Sequence, residues 1–172
     1  MRFATCFRPL LVAAAIGFLS TGVFAPSSHA GALDFAKFVF FTQPWSKAPC
    51  EDGFALAAST DCDTYDVSQH PLHTSLYVYL VVAGNPVSGL GGMQCGIDYD
   101  PDPGSGVDVL SWTSCGALEF SSPGINGPWP AAGSGNHVVW SDCQTTVPPG
   151  GSFAQGVAGA FYVYAYSDDV LE

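Results

Sequence analysis

Thr74-Ser75-Leu76-Tyr77-Val78-Tyr79-Leu80-Val81-Val82-Ala83 decides the fold. β-Branched, aromatic and leucine side chains fill it, and Gly84-Asn85-Pro86 closes it with turn chemistry. Successive side chains of a strand alternate, so Leu76, Val78, Leu80 and Val82 share one face while Tyr77, Tyr79 and Val81 take the other. The segment is therefore read as a long strand with one face for a core. Val157 to Tyr166 repeats the pattern, with Phe161, Val163 and Ala165 opposite Tyr162, Tyr164 and Tyr166.

Outward from these two strands, the signals stay those of a β protein. Phe35 to Gln43 is aromatic and β-branched and stops at Pro44, and Gly92 to Tyr99 follows the Gly84 turn. Val107–Thr113, Ala117–Phe120 and His137–Asp142 are shorter strand candidates. Ser121 to Asn136, with three prolines and four glycines, reads as a long irregular loop, and Pro148-Pro149-Gly150-Gly151 as a hard break. Helical periodicity is nearly absent after the first thirty residues. The expectation is an all-β chain, an antiparallel β-sandwich of jelly-roll or immunoglobulin-like order, forming one domain over residues 31–172.

Residues 1–30 have the order of a secretory signal peptide. Arg2 and Arg8 are basic, Leu10 to Leu19 is apolar or small, and Ser28-His29-Ala30 supplies a small-x-small cleavage site. The apolar core is too short to span a bilayer, and Gly22 and Pro26 oppose its extension. The mature chain is expected from Gly31 to Glu172, outside the cytoplasm: secreted, at the cell surface or in a periplasm, with no membrane span left. It keeps Lys37 and Lys47 against all fifteen carboxylates, a formal charge of 2 − 15 = −13. Such a chain cannot neutralise phosphates, which makes nucleic acid and anionic membrane poor partners and leaves cations and neutral ligands.

Five cysteines remain after the leader: Cys50, Cys62, Cys95, Cys115 and Cys143. Export makes disulfides the expectation, and an odd count leaves one thiol over. Cys50 and Cys62 bracket the polar stretch Glu51 to Asp61 and are the natural local pair. Cys115 and Cys143 each end a Trp-x-x-Cys unit, begun by Trp112 and Trp140, and are expected to pair, with Cys95 buried and free. Cys95–Cys115 is the competing bridge.

One segment resembles a known family. Ser75 to Val82, then Val87-Ser88-Gly89-Leu90-Gly91-Gly92-Met93-Gln94-Cys95-Gly96-Ile97-Asp98-Tyr99-Asp100-Pro101, is similar to the opening of cohesin-like modules. There a strand, a Gly-containing turn, a second strand and a Tyr-Asp-Pro step follow one another. The resemblance covers about residues 75–110 and implies a jelly-roll sandwich, related to carbohydrate-binding modules, that binds proteins or glycans. Asp102 to Gly106 delays the Leu or Val that usually follows Asp-Pro.

Candidate chemistry is sparse. Asp98, Asp100 and Asp102, with Asp108 further on, alternate as hard oxygen ligands do and form the candidate calcium loop. Counted from Asp98, the sixth and twelfth places hold Pro103 and Val109 rather than the Gly and Glu of an EF-hand, and a solvated acidic turn is the competing reading. Otherwise no cofactor is expected. Glu51, Asp52, Asp61, Asp63 and Asp66 read as a solvated patch, and His70 and His73, split by Pro71, as turn histidines. Tyr77, Tyr79, Tyr162, Tyr164 and Tyr166 would ladder on one sheet face, either as cross-strand structure or as an aromatic platform partly open to solvent. Trp129, between Pro128 and Pro130, is either an exposed anchor beside that platform or a lid over the core.

The pattern points to an exported, non-enzymatic β-sandwich module. It would bind an extracellular protein or glycan, or assemble at a surface or in a matrix, pairing with itself by strand addition. The competing class is a small secreted hydrolase using Ser134, His137 and Asp142 or an acidic pair, although no Gly-x-Ser-x-Gly elbow is present. N-terminal sequencing of the exported protein should begin at Gly31; retention of residues 1–30 would overturn the export reading.

Overall fold

The structure is a computed structural model that describes residues 36–61, 64–65, 72–84, 89–168 and 171. The expected leader, Cys62, Asp63, Asp66 and His70 lie outside the described residues. The described chain runs β1 (Lys37–Pro44), α1 (Pro49–Ser59), β2 (Thr74–Gly84), β3 (Leu90–Ile97), β4 (Val107–Ser114), β5 (Leu118–Ser122), β6 (Ser134–Gln144) and β7 (Ala154–Ala165). It is an all-β architecture of two antiparallel sheets, ordered β1-β2-β7-β4 and β3-β6-β5, neither of them closed.

The two long strands are antiparallel neighbours at the centre of the larger sheet, with Val78 opposite Phe161 and Tyr77 opposite Tyr162. One face of this pair feeds an apolar core shared by the sheets, where Leu80, Phe161 and Val163 join Met93, Val138 and Trp140. The register of β2 on β7 shifts between Leu80 and Val81, opposite Gly159 and Val157. At this bulge the Trp140 indole Nε1 donates to the Val157 carbonyl at 3.0 Å, satisfying a buried acceptor. The Trp112 ring lies over Gly159, where a Cβ would come within 2.3 Å of it. Close packing therefore needs glycine there.

The other face of β2 is where the structure departs from the sequence reading. Glu51 to Asp61, a polar loop by its sequence, falls largely within helix α1, which begins at Pro49. Pro49 stands in its first turn with Glu51 and Asp52, which suit the positive end of the helix dipole. Its buried positions are Gly53 and Ala57, four apart and one above the other. Those two small residues carry little hydrophobic signal, which is why periodicity missed the helix. They let α1 lie close on the sheet: a Cβ on Gly53 would sit 2.7 Å from the Tyr79 ring and 3.2 Å from Val157.

The open tyrosine ladder is consequently corrected. Tyr79 is fully buried and Tyr77 is 9% exposed, both in a second core with Phe41, Ala57, Val157 and Ala160. The Phe41 ring is stacked on Tyr79 and on Tyr65, with centroids 4.7 Å apart in each case. Tyr162, Tyr164 and Tyr166 are half-buried, with Tyr162 against Tyr77 and Tyr164 against Tyr166.

The disulfide pairing is corrected as well. Cys50 bonds Cys115, with Cα atoms 5.4 Å apart, and ties the first turn of α1 to the end of β4. Residues three apart on a strand point to opposite faces, so Trp112 enters the shared core while Cys115 turns to the helix side, away from β6 and Cys143. Cys143 is itself disulfide-bonded, and Cys95 is free. A bridge spanning 65 residues stabilises the fold by about 4 kcal/mol through loop-closure entropy.

Gly53→Ala separates helix propensity from packing. Propensity alone would add about 1 kcal/mol, but overpacking against the clamped Tyr79 ring costs about 1–3 kcal/mol. Chemical denaturation should show a net loss of stability; a gain would mean that α1 does not sit against β2.

Candidate functional site

With Tyr77 and Tyr79 covered, the most exposed aromatic side chain of the described strands is Phe120, on the smaller sheet. Asn136, Val138 and Trp140 of β6 point inward, and His137 and Val139 therefore point outward. Register carries these outward positions across three strands: Gln94, His137 and Phe120 form one row, and Gly96, Gly135 and Ser122 the next. Over them lies a depression of about 690 Å³. Its two register-paired glycines leave the floor without side chains. Phe120, 61% exposed, and His137 form a corner, their rings 6.5 Å apart and nearly perpendicular.

The inward side of the same strands braces this floor. The Asn136 amide donates to the Glu119 carboxylate, and its own carbonyl oxygen accepts from the His137 backbone N–H at 2.9 Å. These bonds fix Asn136, which is buried, and with it the backbone from which His137 projects. The depression thus offers one flat apolar ring beside amide, hydroxyl and imidazole groups, on rigid strands. Such a set suits stacking and hydrogen bonding to a neutral polar ligand.

Other candidates are placed elsewhere. Trp129 is a lid: its ring meets Trp112 edge-on at 5.3 Å and Phe161 at 5.5 Å, and the Tyr99 hydroxyl donates to the Pro130 carbonyl at 3.2 Å beside it. The acidic residues brace their own turn. Asp98 accepts from Tyr99 N (3.2 Å), Asp100 from Asp102 N (3.1 Å) and Asp108 from Gly104 N (3.2 Å). Among the described residues no three His, Cys, Asp or Glu side chains are grouped so as to hold a metal ion. Ser134, His137 and Asp142 share β6, but Ser134 is buried on the inward side and His137 projects outward, so they do not form a triad. No helix among the described residues is long and apolar enough to cross a membrane.

Cys95 faces inward between Met93 and Ile97 and lines an apolar crevice of about 260 Å³ with Phe38, Phe40 and Phe161. Burial pushes its thiol from 9.0 up to about 11. Burial, helped by the charge of Asp52 and by Tyr77, pushes the Tyr79 hydroxyl from 10.0 up to about 12. Both shifts favour the protonated form in the folded state, so their stabilisation is complete below the unfolded values of 9 and 10. It is lost as pH rises through about 11 and 12. Stability measured against pH should fall across that window. Alkylation of Cys95 at pH 8 should be slow in the folded protein and fast on unfolding; equal rates would contradict its burial.

No protein-family model, no curated protein and no solved structure matches the chain.

Proposed function

We propose that the mature chain is an exported, non-enzymatic β-sandwich module that binds a neutral glycan on the outward face of β3-β6-β5. The observation that carries the reading is the depression over Gly96 and Gly135, walled by Phe120 and His137 and edged by Gln94 and Ser122. Sugar rings present apolar C–H faces and polar rims. An exposed aromatic ring beside amide and hydroxyl groups complements both. The charge of −13 disfavours anionic ligands, and the uncharged lining of the depression, with its apolar ring, suits a neutral one.

The jelly-roll form of the sandwich belongs to this proposal. In immunoglobulin constant-type order the fifth strand lies between the second and fourth, whereas here β7 holds that place. The cohesin-like resemblance of residues 75–110 is carried forward with it. Export agrees with the Cys50–Cys115 disulfide, since such bonds persist in oxidising compartments.

A glycan array probed with the mature protein tests the reading. Phe120→Ala should weaken binding about tenfold, the equivalent of about 1.4 kcal/mol of ring stacking. Gly96→Val should abolish it while leaving the melting temperature in place, because a Cβ there meets only the Ser134 carbonyl, at 3.4 Å. An array without hits, or Gly96→Val binding like wild type, would reject the site.

A further inference from the structure

Two cavities of opposite chemistry meet on one strand. The depression on the smaller sheet is lined in part by Gln94, Cys95 and Gly96 of β3, and the apolar crevice by Cys95, Gly96 and Ile97 of the same strand. Alternation lets both use it: Gln94 and Gly96 are exposed on the outward side, whereas Cys95 and Ile97 turn toward the shared core. β3 ends its sheet as β1 ends the other, and among the described residues neither has a strand beside it. Phe38 and Phe40 of β1 and Cys95 of β3 line the crevice and are half-buried, so it opens to solvent between these two edges. Stacked sheets lie about 10 Å apart, which sets the crevice about 5 Å beneath the depression with the edge of β3 between them.

We propose that the glycan of this site carries a short apolar aglycone, which folds over the free edge of β3 at Gly96 into the crevice between the sheets. The proposal rests on the glycan reading and names the ligand class within it: a neutral glycoside, its sugar seated on the outward face. Amide, hydroxyl and imidazole groups of Gln94, Ser122 and His137 suit the sugar. Three phenyl rings with Leu80 and Ile97 suit an apolar group, and the Cys95 thiol is the one side chain there able to hydrogen-bond. At the crossing, Gly96 puts no side chain in the path. The backbone groups of an edge strand are unpaired on its open side, which suits the glycosidic oxygen.

Volume sets the size of the aglycone. A cavity of about 150 Å³ lined by Leu, Ile and Phe takes one benzene ring. The crevice, at about 260 Å³, therefore has room for a ring with a short chain or for a short alkyl chain, and not for the paired acyl tails of a bilayer lipid. The source is a free glycoside rather than a membrane, in keeping with the charge of −13.

The test is calorimetric titration of the mature protein with methyl, octyl and dodecyl β-glycosides of glucose, galactose and mannose, each below its micelle-forming concentration. For a sugar that binds, the octyl glycoside should bind tighter than the methyl by on the order of a hundredfold, which burial of about three methylenes supplies. Dodecyl should gain little over octyl, because the crevice is then full. Phe40→Trp, and independently Phe38→Trp, should remove the octyl advantage while methyl-glycoside affinity and melting temperature stay near wild type. In the wild type, octyl but not methyl glycoside should slow alkylation of Cys95 by iodoacetamide, read by mass spectrometry. Equal affinity for methyl and octyl glycosides would overturn the aglycone and leave the sugar site standing. An octyl advantage that survives both substitutions, keeps rising to dodecyl or leaves Cys95 alkylation unchanged would overturn it too. If none of these glycosides binds, this inference falls, whereas the glycan reading falls with an array without hits.

Discussion

Burial of the β2–β7 pair on both faces is the constraint on which the rest of the structure depends. Residues 79–84 of β2 and 154–161 of β7 are buried without a break. A strand of a sheet covered on one side only would show every second residue exposed. The shared core covers one face of the pair, with Met93, Val138 and Trp140 brought by the smaller sheet. Helix α1 covers the other, held at close range by Gly53 and tied by Cys50–Cys115. An 11-residue helix is marginal by itself in water, so its docking and its covalent tie are what keep it in place.

The location of the accessible surface follows from that arrangement. Because α1 covers the helix-side face of the larger sheet, Tyr77 and Tyr79 become core, and phenol groups that could have met a ligand are withdrawn. Among the described residues the outward face of β3-β6-β5 has no such cover, and it presents Phe120, His137 and Gln94 on backbone braced by Asn136. Recognition of the glycan is thereby proposed for one sheet, while the other sheet and its helix supply stability.

Much of the fold was legible because period two is strong where a long strand alternates large side chains. Leu76 to Val82 and Phe161 to Ala165 separate onto the faces that alternation assigns them. Helix α1 was not legible, since its inward residues are Gly53 and Ala57. Pro49 followed by Glu51 and Asp52 is the start signal that could have revealed it. Missing the helix led directly to the open tyrosine platform. Cysteine pairing failed for a related reason: Trp112-x-x-Cys115 looks like one unit in sequence, yet the strand sends its two ends to opposite faces. The depression was hidden because Phe120 and His137 lie on different strands and meet only through the β5–β6 register. In the sequence His137 stands near Ser134 and Asp142 and Phe120 ends a short strand candidate, with nothing to join them.

Hydroxyl-radical footprinting of the folded mature protein, read residue by residue by mass spectrometry, tests the two-sided burial most directly. Tyr77 and Tyr79 should be protected to the level of Phe161, while Phe120 oxidises at a rate near that of the unfolded chain. Oxidation of Tyr79 as fast as Phe120 would show that α1 does not cover the sheet, and the account of both the core and the binding face would be contradicted.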